Sequence, residues 1–200
     1  MSKENEYYYD YWQNQFREHD NYMISNHADF VGSVPNDTKE FYLIREHILE
    51  FINNNDSVLD VGCASGGTYL HIKDFSFKKI KYKGIDYVEN FIESCKKRHP
   101  EANWEVSDAR DLIENDKSWD VVLLYDTLDY LMNPDRPLKW KKAIDEAVRV
   151  AKKRIIIVIW SDFLRDAPKI RRYLKNKVKL KEIELDSLPK SPHLMLIGEK

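Results

Sequence analysis

Five residues, Ser57-Val58-Leu59-Asp60-Val61, run directly into Gly62-Cys63-Ala64-Ser65-Gly66-Gly67. The first group is short, apolar and β-branched, the pattern of a buried strand, and the glycines that follow end it in a loop. Small side chains let backbone amides approach a ligand closely, so a strand that opens through such a loop into a helix is a nucleotide-type binding turn. That turn restricts the chain to α/β architectures.

The rest of the chain alternates accordingly. Periodicity predicts a helix over Thr68 to Asp74, a strand over Lys81 to Asp86, and a helix over Glu89 to Arg98 with Val88, Phe91, Ile92 and Cys95 on one face. A strand over Asn103 to Val106, a continuously apolar strand over Trp119 to Tyr125 and a helix over Pro137 to Ala151 come next. The Ile-rich run Arg154 to Trp160 can only be a central, buried strand. Upstream, Phe41, Ile44, Ile48, Phe51 and Ile52 recur at helical spacing within Lys39 to Asn53, with Asp37 and Glu40 as a capping-box-like start. Downstream, a basic helix over Ala167 to Asn176 leads to a strand over Val178 to Asp186, where the alternation shifts between Leu180 and Ile183 and predicts a bulge. The link Leu188-Pro189-Lys190-Ser191-Pro192 is short enough to permit only an antiparallel hairpin to a last strand, His193 to Glu199. The expected fold is a doubly wound, mainly parallel seven-stranded sheet with an antiparallel C-terminal hairpin strand, helices on both faces and an N-terminal helical extension. Ligands in such sheets bind at the carboxyl ends of the strands.

Composition narrows the function classes. With 42% apolar and 33% charged residues over 200 positions, one compact domain is expected, divided into an aromatic extension or lid (1–38) and a core (39–200). The 32 basic and 34 acidic residues nearly cancel, which gives no global pull toward nucleic acid or a membrane surface. No window approaches the roughly 18 apolar residues of a membrane span, and Met1 to Asp10 is acidic and tyrosine-rich where a signal peptide is basic and then apolar. A cytoplasmic protein without a membrane partner is expected. Cys63 and Cys95 form neither a disulfide framework nor a zinc pair, and the six histidines lack metal spacing, so no metal is expected. Residues 139–200 carry 17 basic and 8 acidic residues, read first as solvated helix faces and strand edges and only second as a nucleic-acid patch.

The spacing of the glycine loop alone admits either a dinucleotide or S-adenosylmethionine, and Asp86, ending the second strand, stands where a ribose-binding acid belongs for both. Asp60 separates them. A carboxylate two residues before Gly62 repels a pyrophosphate but suits a ligand carrying a sulfonium and an ammonium, which favours S-adenosylmethionine over NAD.

The stretch Val58-Leu59-Asp60-Val61-Gly62-Cys63-Ala64-Ser65-Gly66 resembles the first motif of the class I S-adenosylmethionine-dependent methyltransferases. Gly84-Ile85-Asp86-Tyr87, Val106-Ser107-Asp108-Ala109 and Trp119-Asp120-Val121-Val122-Leu123-Leu124-Tyr125 match the later motifs in order, and the likeness extends from about Phe41 to Lys200. The resemblance implies a Rossmann-like fold and a cofactor site of Asp60, Gly62, Cys63, Ala64, Ser65, Gly66, Asp86, Tyr87, Asp108, Ala109 and Tyr125. Within it, Asp86 accepts both ribose hydroxyls, Asp108 accepts from the adenine amine, and Ala109 lends backbone contact. Two departures stand out: Ala64 replaces the family's second loop glycine, and Leu128-Asp129-Tyr130 replaces a frequent Leu-Glu-His, so no base carries over.

On the acceptor side, Tyr125, Asp126, Asp129 and Tyr130 follow the fourth strand, and Asp126, Asp129 and Tyr130 are the catalytic candidates. Asp126 equally suits a cap for a turn over Thr127 to Met132, and Tyr130 a packed aromatic. The leader Tyr7-Tyr8-Tyr9-Asp10-Tyr11-Trp12 is too aromatic to be solvated, and since family members commonly place an N-terminal extension over the site, Tyr11, Trp12, His19 and Tyr22 are expected in a substrate-facing lid. The expected reaction is O- or N-methylation of a small-molecule acceptor. A methyltransferase acting on RNA or protein, and a non-catalytic cofactor-binding protein, are the alternatives, and the oligomeric state is left open.

Overall fold

A computed structural model describes residues 36–132, 139–159, 161–185 and 193–200. The lid residues Tyr11, Trp12, His19 and Tyr22, and the hairpin link over 188–192, lie outside that set.

Helix α1 (Asn36–Glu50) buries Ile44, Ile48 and Leu49, and a closing turn brings Ile52 in behind them. The helix begins before Asp37, so the expected Asp37–Glu40 capping box does not form its start, and it ends before Asn53. It ends there because the Asn53 N–H turns to the Asp56 carboxylate at 2.8 Å, an Asx-type closure that competes with a further helical turn.

Strand β1 (Ser57–Val61) leads to α2 (Gly67–Phe75), β2 (Lys81–Asp86), α3 (Glu89–Arg98), β3 (Asn103–Val106) and β4 (Trp119–Tyr125). A short α4 (Thr127–Leu131), α5 (Trp140–Val150), β5 (Ala151–Ile159), a 3-10 turn (Ser161–Asp166) and α6 (Ala167–Lys175) precede β6 (Lys179–Glu184) and β7 (Leu194–Glu199). The sheet order is β3-β2-β1-β4-β5-β7-β6, with β7 antiparallel to both neighbours and the other pairings parallel. This is the doubly wound, mainly parallel sheet expected. The chain leaves β1 toward one edge and returns to β4 on the other side of it, so the winding reverses between β1 and β4, and the crevice at their carboxyl ends is where such sheets bind ligands.

Both faces of the sheet are covered. Leu59, Val61, Val122, Leu124, Ile155 and Ile157 pack under α5 and α6, while Val58, Val121, Leu123, Ile156 and Val158 pack under α1, α2 and α3. Each such Ile or Leu removed from water contributes about 1.5–3 kcal/mol, which is why the central strands read as unbroken apolar runs.

The expected bulge between Leu180 and Ile183 is absent. Pairing of β6 with β7 runs without a shift from Lys179–Glu199 to Glu184–Leu194. The broken alternation has another cause: Leu180 joins the core beneath α5 and α6, whereas Ile183 joins the one on the opposite face. An irregular register occurs instead between Trp119 and Val121 in β4.

Candidate active site

Parallel pairing brings the ends of β1, β2, β3 and β4 to one edge of the sheet, and with them Gly62, Asp86, Asp108 and Asp126. The loop after β1 is fastened to β2 by the Gly62 and Cys63 N–H groups, which both donate to the Ile85 carbonyl, at 2.8 and 2.9 Å. Gly62 has φ +81°, and a Cβ there would lie 2.4 Å from Thr127 Oγ1. The Thr127 hydroxyl donates to the Val61 carbonyl at 2.6 Å and so clamps the start of α4 onto the loop. Only glycine fits between them.

Ala64 is held at φ +44°. Its N–H donates to Asp86 Oδ2 at 2.9 Å, and its carbonyl accepts weak bonds from the Cys63 and Cys95 thiols. Both thiols are buried, and burial pushes the Cys63 thiol up, so Cys63 fills space in the loop and is no nucleophile. The Ser65 carbonyl accepts from Arg98 Nη2 at 3.0 Å. Trp104 packs beneath Gly66, closing the floor of the loop.

Asp86 accepts the Val88 N–H at 2.9 Å through its second oxygen, and the Tyr87 amide adds a further bond, so each carboxylate oxygen is positioned by the backbone. Burial pushes its carboxyl up to about 6 against those amide bonds. Asp60 lies under the loop, 2% exposed, with the Tyr82 hydroxyl donating to it at 2.6 Å. Burial raises Asp60 to about 6 as well, opposed by its bonds from Tyr82 and Thr68 and by the charge of Arg45. Buried in this way, Asp60 offers a ligand its field rather than an open contact.

Asp108 is engaged by its own turn. Arg110 grips its carboxylate through Nε at 2.8 Å and Nη2 at 2.6 Å, and the Arg110 N–H adds a third bond at 2.8 Å, the turn cap that competes with an adenine role. Burial opposes ionisation, yet the Arg110 bonds prevail and hold the carboxyl below the ordinary range. Asp108 thus orders the turn through Arg110 while its side chain stays about a third exposed (34%). Ala109 and Tyr87 stay partly exposed beside it.

Asp126, Asp129 and Tyr130 follow β4, and Asp129 lies close enough to Asp126 to act on its charge. Asp126 has φ +55° at the N-cap of α4 and makes no side-chain cap bond, so its expected alternative as a helix cap falls away. Burial, then the charge of Asp129, pushes its carboxyl well above the ordinary range, and Arg45 works the other way. Asp129 is 2% exposed, while Tyr125 and Tyr130 are half-buried. Among the described residues no group of three or more His, Cys, Asp or Glu could hold a metal ion, and no helix is long and apolar enough to cross a membrane.

The methyltransferase-domain family profile matches residues 58–154, spanning the loop, Asp86 and the β4 cluster. Ajmaline N-methyltransferase of Rauvolfia serpentina is 30% identical over 126 residues, covering 60% of this chain and 40% of that protein. Over this stretch the chain is similar to the class I S-adenosylmethionine-dependent methyltransferases. Two solved structures share the fold: the PH0226 protein of Pyrococcus horikoshii (17% identical, TM-score 0.65, 85% of this chain and 93% of that one) and a SAM-dependent methyltransferase of Aquifex aeolicus (19%, TM-score 0.61, 78% and 88%). S-adenosylmethionine is the cofactor this family implies, and the site fits it: a left-handed glycine loop, a preset Asp86 carboxylate for a ribose diol, and the buried charge of Asp60 for a cationic centre.

Three residues of this site escape a reading of the sequence. Arg45 of α1 acts on both Asp60 and Asp126, yet it sits among surface-type charges in a helical repeat. Arg110 and Thr127 are visible only through their partners, although the placement of Arg110 two residues after Asp108 is a turn signature that could have marked it.

Proposed function

We propose that this chain transfers a methyl group from S-adenosylmethionine to oxygen or nitrogen of a small-molecule acceptor. The observation that carries the reading is the placement of the Asp126–Asp129 pair one parallel strand away from the glycine loop, with Thr127 bonded to Val61 between them. The likeness to ajmaline N-methyltransferase, whose name gives a small-molecule acceptor, supports it. The chain spans about 40% of that relative's length.

The cofactor supplies an activated methyl on a sulfonium, and the leaving group departs neutral. What the chain must do is align, desolvate and enclose two reactants. Asp86 fixes the ribose through two charge-assisted bonds, and the amides of Ala64 and Val88 keep its carboxylate from turning. Asp60 lends negative charge from below, where its burial in a low dielectric strengthens its field. Asp126 and Asp129 face the acceptor and can hold a proton that it gives up.

A reading as a methyltransferase of RNA rests on the basic C-terminal third, and the ion pairs there weaken it. Arg149 bonds Glu146 and Asp116, Lys153 bonds Asp56 and Asp120, Arg171 bonds Glu182, and Lys177 bonds Asp145. Four of the 17 basic residues there are thus paired with local acids. The test is incubation of the protein with methyl-labelled cofactor and separate pools of metabolites, total RNA and protein. Label in the metabolite pool is expected; label confined to RNA or protein overturns the small-molecule reading.

A further inference from the structure

A carboxylate buried beneath the glycine loop, as Asp60 is, is costly unless hydrogen bonds hold its ionised form. Tyr82 of β2 supplies one at 2.6 Å. Pairing sets Val58 against Tyr82 and Asp60 against Gly84, so Tyr82 and Asp60 lie diagonally on one face of the sheet. The buried Tyr82 ring packs against Tyr69 and Trp104, with centroids 5.1 and 5.5 Å away, and those two rings also pack on each other. Burial, then the charge of Asp60, pushes the Tyr82 phenol well above its ordinary range, so the hydroxyl keeps its proton and serves Asp60 as a donor. Phenylalanine would satisfy the ring packing equally well. The hydroxyl answers to Asp60.

The other groups around Asp60 act from separate elements. Thr68, at the start of α2, adds a second side-chain bond, and Arg45 of α1 adds positive charge, both favouring the ionised form. Asp86 at the end of β2 opposes it, and the Cys63 thiol of the loop lies within range of its charge.

We propose that Tyr82 is a positioning residue for the cofactor: its hydroxyl holds Asp60 ionised and fixed beneath the glycine loop, so that the carboxylate draws in the cationic end of S-adenosylmethionine. The inference rests on the methyltransferase reading above. Without the hydroxyl, Asp60 takes up a proton more readily, and a cationic ligand must displace that proton in order to bind. The penalty is present at a pH where the variant's Asp60 is protonated and fades as the pH rises past it. A packing defect would cost the same at every pH.

The test uses the full chain, native and as Tyr82→Phe, with S-adenosylhomocysteine as the probe. Carbon-13 NMR of aspartate-labelled protein without ligand should show the Asp60 carboxyl titrating about one pH unit higher in Tyr82→Phe than in the native protein, with Asp86 unmoved. In calorimetric titration, Tyr82→Phe should bind S-adenosylhomocysteine about fivefold more weakly than native at pH 5.5 and within about twofold of native at pH 8. Thr68→Val, which removes the second bond and leaves the aromatic packing in place, should move both readings the same way. Added to Asp60→Asn, Tyr82→Phe should change the affinity less than about twofold at either pH. An Asp60 midpoint that stays put in Tyr82→Phe, or a loss of affinity that is equal at both pH values, overturns the proposal while leaving methyl transfer intact. Failure of the native protein to bind S-adenosylhomocysteine at either pH overturns the methyltransferase reading itself, and the cofactor role of Tyr82 with it.

Discussion

The Asp86 carboxylate accepts the Ala64 N–H at 2.9 Å across 22 residues of sequence. One side chain thus shapes the glycine loop and presents the acid that a ribose needs. Asp86→Asn keeps the volume but loses the charge and turns one acceptor into a donor, which faces the Ala64 or the Val88 amide. Loss of two charge-assisted ribose bonds costs about 3 kcal/mol, roughly a hundredfold in cofactor affinity, by isothermal titration. An affinity within threefold of native would show that the ribose is bound elsewhere. Asp108→Asn, whose carboxylate is already gripped by Arg110, should weaken binding far less.

Cofactor affinity should also depend on pH. Asp60 and Asp86 have carboxyls raised to about 6 in the folded protein from an ordinary value of 3.8, so the empty folded state holds more protons than the unfolded chain between about pH 4 and 6. Their contribution to stability is therefore fullest below pH 4 and declines as pH rises through 6. A cationic ligand over Asp60 and hydroxyls on Asp86 favour the ionised forms. Affinity should rise about tenfold or more from pH 5 to 6.5 and then level off. A flat profile over that range, measured by titration calorimetry, would exclude both carboxylates from binding.

Gly62 and Thr127 form a steric pair testable by a double-mutant cycle. Gly62→Ala sets a Cβ 2.4 Å from Thr127 Oγ1 at φ +81° and should cost about 3 kcal/mol of stability in urea unfolding. Thr127→Ala removes the obstruction along with the bond to Val61. The double variant should be more stable than the sum of the single losses by about 1 kcal/mol, and strict additivity would refute the contact.

Ala64 offers the opposite experiment. It holds a left-handed conformation that costs a side-chain-bearing residue about 1 kcal/mol, partly offset in glycine by the entropy of the unfolded chain. Ala64→Gly should stabilise the protein by about 0.5 kcal/mol, seen as a rise in melting temperature, with cofactor affinity unchanged or improved. A drop in melting temperature would show that the alanine methyl is needed for packing.

Strand identity, their order along the chain and the position of the glycine loop are legible in the residues because burial on both faces imposes continuous apolar runs, and a left-handed turn imposes small residues. Ser57–Val61, Lys81–Asp86 and Trp119–Tyr125 follow directly from those local demands. The side of the sheet that each residue serves is not local. The shift between Leu180 and Ile183 resembles a bulge from within one strand, and only the two separate cores show it to be one residue for each face. Asp108 likewise is an acid after a strand until the tertiary structure closes Arg110 over it, and Asp126 is a helix cap until its amides prove unused and its oxygen buried. The sequence by itself determined the sheet, the loop and the acid at each strand end, since these follow from short-range sterics and hydropathy. Which acids remain open to a ligand was decided only by the tertiary structure, because a carboxylate's charge and availability depend on neighbours such as Arg45, Arg110 and Asp129 that folding supplies.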